Sequence, residues 1–129
     1  MSVKVYLYSK CSTCRNALRF LEKMKAVFTV KEITETPPSI PDLKKMLKHM
    51  NGDLKKLFNT SGNLYRELQL SEKLPNMTQD EALALLTSNG MLVKRPFLLG
   101  DGVGLLGFSE KKWEESMKTF ALGVENEQV

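Results

Sequence analysis

Two cysteines, Cys11 and Cys14, stand three positions apart in the stretch YSKCSTCRNALRFLE, residues 8 to 22, and the 129-residue chain has no others. Residues at i and i+3 on a first helical turn lie about 5 to 6 Å apart, the Cα spacing a disulfide prefers. The pair could therefore close and reopen without unfolding anything. Cys11 falls just before the predicted helix, where unsatisfied amide hydrogens and the positive end of the macrodipole stabilise an anion, and Lys10 and Arg15 add positive charge beside it. These features mark Cys11 as the thiolate and nucleophile. Cys14 shares the apolar stripe of the same helix with Ala17 and Leu21, which suits a less exposed, resolving thiol.

Two other readings of the pair stay open at this level. A closed zinc site would need two further ligands, and the chain offers no third cysteine and a single histidine, His49, in a lysine-rich helix end that suits a surface position. No metal site is expected. Alternatively, both cysteines could be small buried residues with no chemistry, although a strand-to-helix junction is an odd place for that.

The elements that would position the motif follow from periodicity. VKVYLY (3 to 8) reads as a central strand covered on both faces. Cys14, Ala17, Leu18 and Leu21 recur at helical spacing, and VFTVKEI (27 to 33) reads as a second strand, parallel to the first. TPPSIP (36 to 41) breaks the chain, and Ser39 with Asp42 resembles a capping box for a helix over 41 to 50, stopped by Asn51-Gly52. A short helical turn at DLKKLF, a turn-rich loop at 59 to 63, and a second capping box, Thr78 with Glu81, follow; that box opens a helix with Ala82, Leu85 and Leu86 inward. RPFLLG (95 to 100) and GLLGF (104 to 108) predict a hairpin, and Ser109 opens a last helix that aligns Trp113, Met117, Phe120 and Ala121, with ENEQV as a frayed tail. The order is β-α-β, a helical insertion over approximately 36–92, then β-β-α. It fits an α/β protein with a thioredoxin-like core and a mixed sheet, a single domain over residues 1–129.

Composition excludes several classes. Nineteen Lys and Arg against fifteen Asp and Glu give a formal charge of +4, interleaved rather than blocked, so KKMLK (44 to 48) and Lys55-Lys56 read as solvated faces and no direct nucleic-acid contact is expected. No apolar run approaches the roughly 20 residues needed to span a bilayer, and the N-terminal stretch lacks signal-peptide features. A cytoplasmic location is expected, and in that reducing setting two close cysteines serve function better than structure.

Together, YSKCSTCRNALRFLE, TPPS, FNTSGNLYREL, KLPNMTQDEALALL, NGMLVKRPFLLGDG and GFSEKKWEE resemble the arsenate reductase and Spx family of thioredoxin-like proteins over most of the chain. The resemblance implies the helical insertion, a cis Arg95-Pro96 bond with Pro96 against the cysteine loop, and an oxyanion-binding role for Arg95. It also implies glutathione with glutaredoxin, or thioredoxin, as electron donor, with no bound cofactor. Glutaredoxin-linked arsenate reductases have Ser in the place of Cys14 and hold the oxyanion with three arginines. Here Asn59 falls where one is expected and GLLGF carries none, leaving Arg66 as a possible substitute. Spx-type regulators do carry the two-cysteine motif and use its disulfide to control contact with the RNA polymerase α subunit, for which Gly52 would be the matching glycine. The reading placed first is a thiol-disulfide oxidoreductase-like protein, with the redox-sensing regulator and the arsenate reductase as alternatives.

Overall fold

Alternate side chains of the first strand, β1 (Val3–Leu7), divide between two cores. In the computed structural model, which describes residues 3–118, Val3, Val5 and Leu7 face one side with Cys14, Ala17, Phe20 and Leu21 of helix α1 (Ser12–Lys23). Tyr6 faces the other side, where the inserted helices bring Leu43, Met46, Leu57, Phe58 and Leu86. Full burial of each such side chain stabilises by about 1.5 to 3 kcal/mol relative to exposure, so the sheet is fixed from both faces.

The sheet has the order β2-β1-β3-β4. β2 (Phe28–Glu32) runs parallel to β1, with Val5 opposite Val30; β3 (Phe97–Gly100) runs antiparallel to β1, with Val5 opposite Leu98. β4 (Val103–Leu106) returns along β3 through a two-residue turn, Asp101-Gly102, in which Gly102 takes φ +85°. The hairpin is thus tighter than the sequence suggested. Gly100 and Val103 close the ladder, and the strand stops at Leu106 because Gly107 turns away at φ +69°. β2 is an edge strand and leaves Thr29 and Val30 exposed.

Helix α2 (Ile40–His49) opens the insertion, and here the predicted capping box is only half formed. The Ser39 hydroxyl accepts the Asp42 amide hydrogen at 3.3 Å, but the Asp42 carboxylate does not reach back. It instead receives bonds from Lys4 Nζ and the Tyr6 hydroxyl, each at 2.8 Å, and so joins the insertion to the sheet. α2 ends where Asn51 and Gly52 both adopt positive φ and the Gly52 amide donates to the Leu47 carbonyl at 2.9 Å.

A 3₁₀ turn (Leu54–Leu57), α3 (Asn63–Glu67), α4 (Leu70–Lys73) and a second 3₁₀ turn lead to α5 (Gln79–Ser88). α5 carries the full Thr78–Glu81 capping box. Gly90 follows, at a point where a Cβ would stand 1.8 Å from the Ile33 carbonyl oxygen. A last helix, α6, covers 110–118 and buries Trp113 and Met117, while the Trp113 indole donates to the Gly107 carbonyl at 2.9 Å. Phe120, Ala121 and the ENEQV tail lie outside the described residues.

Candidate active site

Cys11 is the N-cap of α1, with φ −97° and ψ 121°; its carbonyl accepts the Arg15 amide hydrogen and no side chain caps the helix. The amides of the first turn are therefore left for the thiol itself. Burial pushes the Cys11 pKa up, but the Cys14 amide and thiol, the Thr13 amide and the Arg95 charge together outweigh it, and the net direction is down. Cys14 faces the core with no exposed surface, and its sulfur accepts the Tyr8 amide hydrogen at 3.5 Å. Burial first, and then the bond and charge of Cys11, push its pKa up to about 11. The two thiols, both free, are thus separated into an accessible acidic one and a buried basic one.

Arg95 supplies the cation. It is half-buried between a third 3₁₀ turn (Gly90–Leu92) and β3, its guanidinium lies 5.1 Å from the Tyr8 ring centre, and one terminal nitrogen donates to the Met91 carbonyl at 3.4 Å. Its Nε is buried without a hydrogen-bond partner among the described residues. The Arg95-Pro96 bond is cis, and the Pro96 carbonyl accepts the Gly107 amide hydrogen at 2.9 Å. An open cleft of about 470 Å³ lies over the thiol, lined among others by Cys11, Asn59, Ser61, Lys94, Arg95 and Lys112.

The structure thus brings together Cys11, Cys14 and Arg95. It does not bring Arg15 or Arg66 to the cleft. Arg15 is exposed and donates to the Ser9 carbonyl at 3.3 Å, so its side chain braces the loop before the helix, and the cation acting on Cys11 is Arg95. Arg66 is exposed on α3 and bonded to Asn63. His49 is exposed at the end of α2, with its ring against Gly104, where a Cβ would stand 2.5 Å away. Ser61, Lys94 and Lys112 were not singled out by the sequence. Lys94 could have been, as the neighbour of Arg95, whereas the apolar period of α6 says nothing about where Lys112 points. Among the described residues no cluster of three His, Cys, Asp or Glu side chains suits a metal ion, and no helix is long and apolar enough to cross a membrane.

A two-cysteine motif at the N-terminus of the first helix, on a β-α-β and β-β-α frame interrupted by helices, defines a thioredoxin-like redox protein. The model of the ArsC family matches residues 6–116, and the chain belongs to that family. It is 47% identical over 116 residues to the Bacillus subtilis (strain 168) protein YusI, covering 90% of this chain and 98% of that one. The arsenate reductase from Vibrio cholerae superposes with a TM-score of 0.78 at 26% identity, over 90% of this chain and 98% of that chain. The global transcriptional regulator Spx of Streptococcus mutans serotype c (strain ATCC 700610 / UA159) is 24% identical over 108 residues, 84% of this chain and 77% of that protein.

Proposed function

We propose that the protein exchanges thiols and disulfides through Cys11 and Cys14, cycling between the dithiol and an internal disulfide. The Cys11 thiolate attacks one sulfur of a substrate disulfide RS–SR′, forms Cys11–SR, and expels R′S⁻, which takes a proton from water. Cys14 then loses its proton and attacks the Cys11 sulfur, closing the Cys11–Cys14 bond and expelling RS⁻. Two electrons pass to the substrate, and a dithiol protein or two monothiols return them by the reverse route. Glutaredoxin with glutathione, or thioredoxin, fits that role.

The observation that carries this reading is the opposed environment of the two thiols. Only Cys11 lines the cleft, and only its pKa is lowered. The order of steps is also built in. Once Cys11 is in a mixed disulfide it no longer bears the charge that, after burial, helps hold Cys14 protonated, so the second attack becomes easier only after the first has occurred.

Arsenate is a poorer match to the cleft. A doubly charged oxyanion needs several directed donors, whereas this cleft offers one guanidinium and two lysines, Lys94 and Lys112, that remain exposed to water. Equilibration in graded glutathione redox buffers, followed by acid quench and mass spectrometry, tests the proposal. A single two-electron transition linking Cys11 to Cys14 is expected. Two thiols persisting through the most oxidising buffer would contradict it.

A further inference from the structure

β4 is the open edge of the sheet, and its free side leads to Cys11. The Gly107 amide donates to the Pro96 carbonyl, which makes that pair a hydrogen-bonded one; by alternation along the antiparallel ladder, Leu98–Leu105 and Gly100–Val103 are bonded pairs too. The amides and carbonyls of Gly104 and Leu106 therefore point outward, away from β3. Among the described residues neither has a backbone partner on that side.

This edge is the base of a groove. A cavity of about 520 Å³ runs past Gly104, Leu105 and Leu106, bounded by Lys55, Lys56 and Phe58 of the insertion. It shares Lys94, Leu105, Leu106 and Lys112 with the cleft over Cys11, so the two are continuous. Because β4 runs toward Gly107, the groove opens into the cleft at the Leu106 end. Four lysines, Lys55, Lys56, Lys94 and Lys112, line it against one carboxylate, Asp53. None of the four is ion-paired among the described residues.

Lysines on a strand edge commonly resist association with other strands; here they stand beside the edge, on neighbouring elements, and line the groove along it. Here the same cations become attractive to a strand of opposite charge, and the edge ends at a nucleophile. We infer that the groove along β4 docks an extended, acidic polypeptide segment that carries the substrate cysteine, adding it as a fifth strand whose sulfur reaches Cys11. Main-chain bonds to Gly104 and Leu106 would supply binding that is tolerant of sequence, and Lys55, Lys56, Lys94 and Lys112 would select for carboxylates beside the cysteine. This rests on the exchange chemistry proposed above and names its substrate class as a protein disulfide in an acidic, strand-forming segment.

The test compares three disulfides of glutathione under pseudo-first-order conditions: a peptide with Asp and Glu on both sides of its cysteine, the same peptide with Asn and Gln, and glutathione joined to 2-mercaptoethanol. Fluorescence or quenched mass spectrometry reads the rate of attack by Cys11. At low salt the acidic peptide should react about tenfold or more faster than the neutral one, with the advantage collapsing at high salt. The double variant Lys55→Glu with Lys56→Glu should lose that advantage and leave the rate with the mercaptoethanol disulfide unchanged. N-methylation of alternate peptide amides should slow the acidic peptide, and methylation of the intervening ones should not. Equal rates for acidic and neutral peptides, or insensitivity to N-methylation, would overturn the docking proposal while the small disulfide still reports exchange. Failure of all three disulfides to react would instead overturn the exchange chemistry.

Discussion

Substituting Asp42→Ala should weaken the tie between the insertion and the sheet, and the cost can be worked from two bonds. The Asp42 carboxylate is nearly buried and receives the Tyr6 hydroxyl and Lys4 Nζ, both at 2.8 Å. Tyr6 is 3% exposed and its hydroxyl donates to this carboxylate alone among the side chains, so losing that charge-assisted bond costs about 1.5 to 3 kcal/mol. The Lys4 side chain is 40% exposed and resolvates, which limits its share to about 0 to 1 kcal/mol. The expected loss is about 1.5 to 4 kcal/mol, seen as a drop of about 1 to 2 M in the urea midpoint at pH 7 with an unchanged slope. Asp42→Asn keeps an acceptor for Tyr6 and should cost less. Burial raises the Asp42 pKa, but the bonds from Lys4 and Tyr6 outweigh it and the net direction is down. A carboxylate held down in this way contributes stability above its unfolded pKa, near 4, and loses it as pH falls through the lower folded value. The gap between the parent and Asp42→Asn should therefore narrow below about pH 4. An Asp42→Ala protein within about 0.5 kcal/mol of the parent, or a gap constant down to pH 2, would refute the reasoning.

Arg95→Ala should raise the Cys11 pKa, because the guanidinium charge favours the thiolate; pH-dependent alkylation should show the midpoint move up, and an unmoved midpoint would remove Arg95 from the site. Arsenate at millimolar concentration should scarcely protect Cys11 from alkylation, and turnover with glutaredoxin should be negligible; strong protection would show that Lys94 and Lys112 complete an oxyanion site. Gly90→Ala should destabilise by more than about 3 kcal/mol or prevent folding, since its Cβ would stand 1.8 Å from a backbone oxygen that cannot swing away, and a urea midpoint near that of the parent would contradict this.

Much of the frame was legible because it depends on local signals. The two strands of the β-α-β half, α1, the Thr78–Glu81 box and the Asn51-Gly52 stop all follow from periodicity or from backbone conformations that few residues adopt. The placement of the two cysteines was legible too, Cys11 before the helix and Cys14 on its buried apolar stripe. What sequence could not give was partnership across the chain. Asp42 sits where a capping acid would, yet it serves Lys4 and Tyr6, some 36 or more positions away, because burial of its carboxylate demands a charged and a hydroxyl donor at once. Arg15 is adjacent to the motif in sequence, but a helix turn carries its side chain back to Ser9, and Arg95 arrives from another element. The hairpin boundaries shifted by a residue or so because the tightest turn, Asp101-Gly102, won over the longer GDGVG loop.

Trapping of the mixed disulfide tests the division of labour between the two thiols most directly. With Cys14→Ser, attack on a glutathione disulfide should stop halfway and leave one glutathione on Cys11, stable to dilution and located by peptide mass. Cys11→Ser should give no adduct at the buried Cys14 on the same timescale, and the parent should pass through to the internal disulfide. An adduct that forms equally at Cys14 when Cys11 is absent, or a Cys14→Ser protein that forms none, would contradict the assignment of Cys11 as nucleophile and Cys14 as resolving thiol.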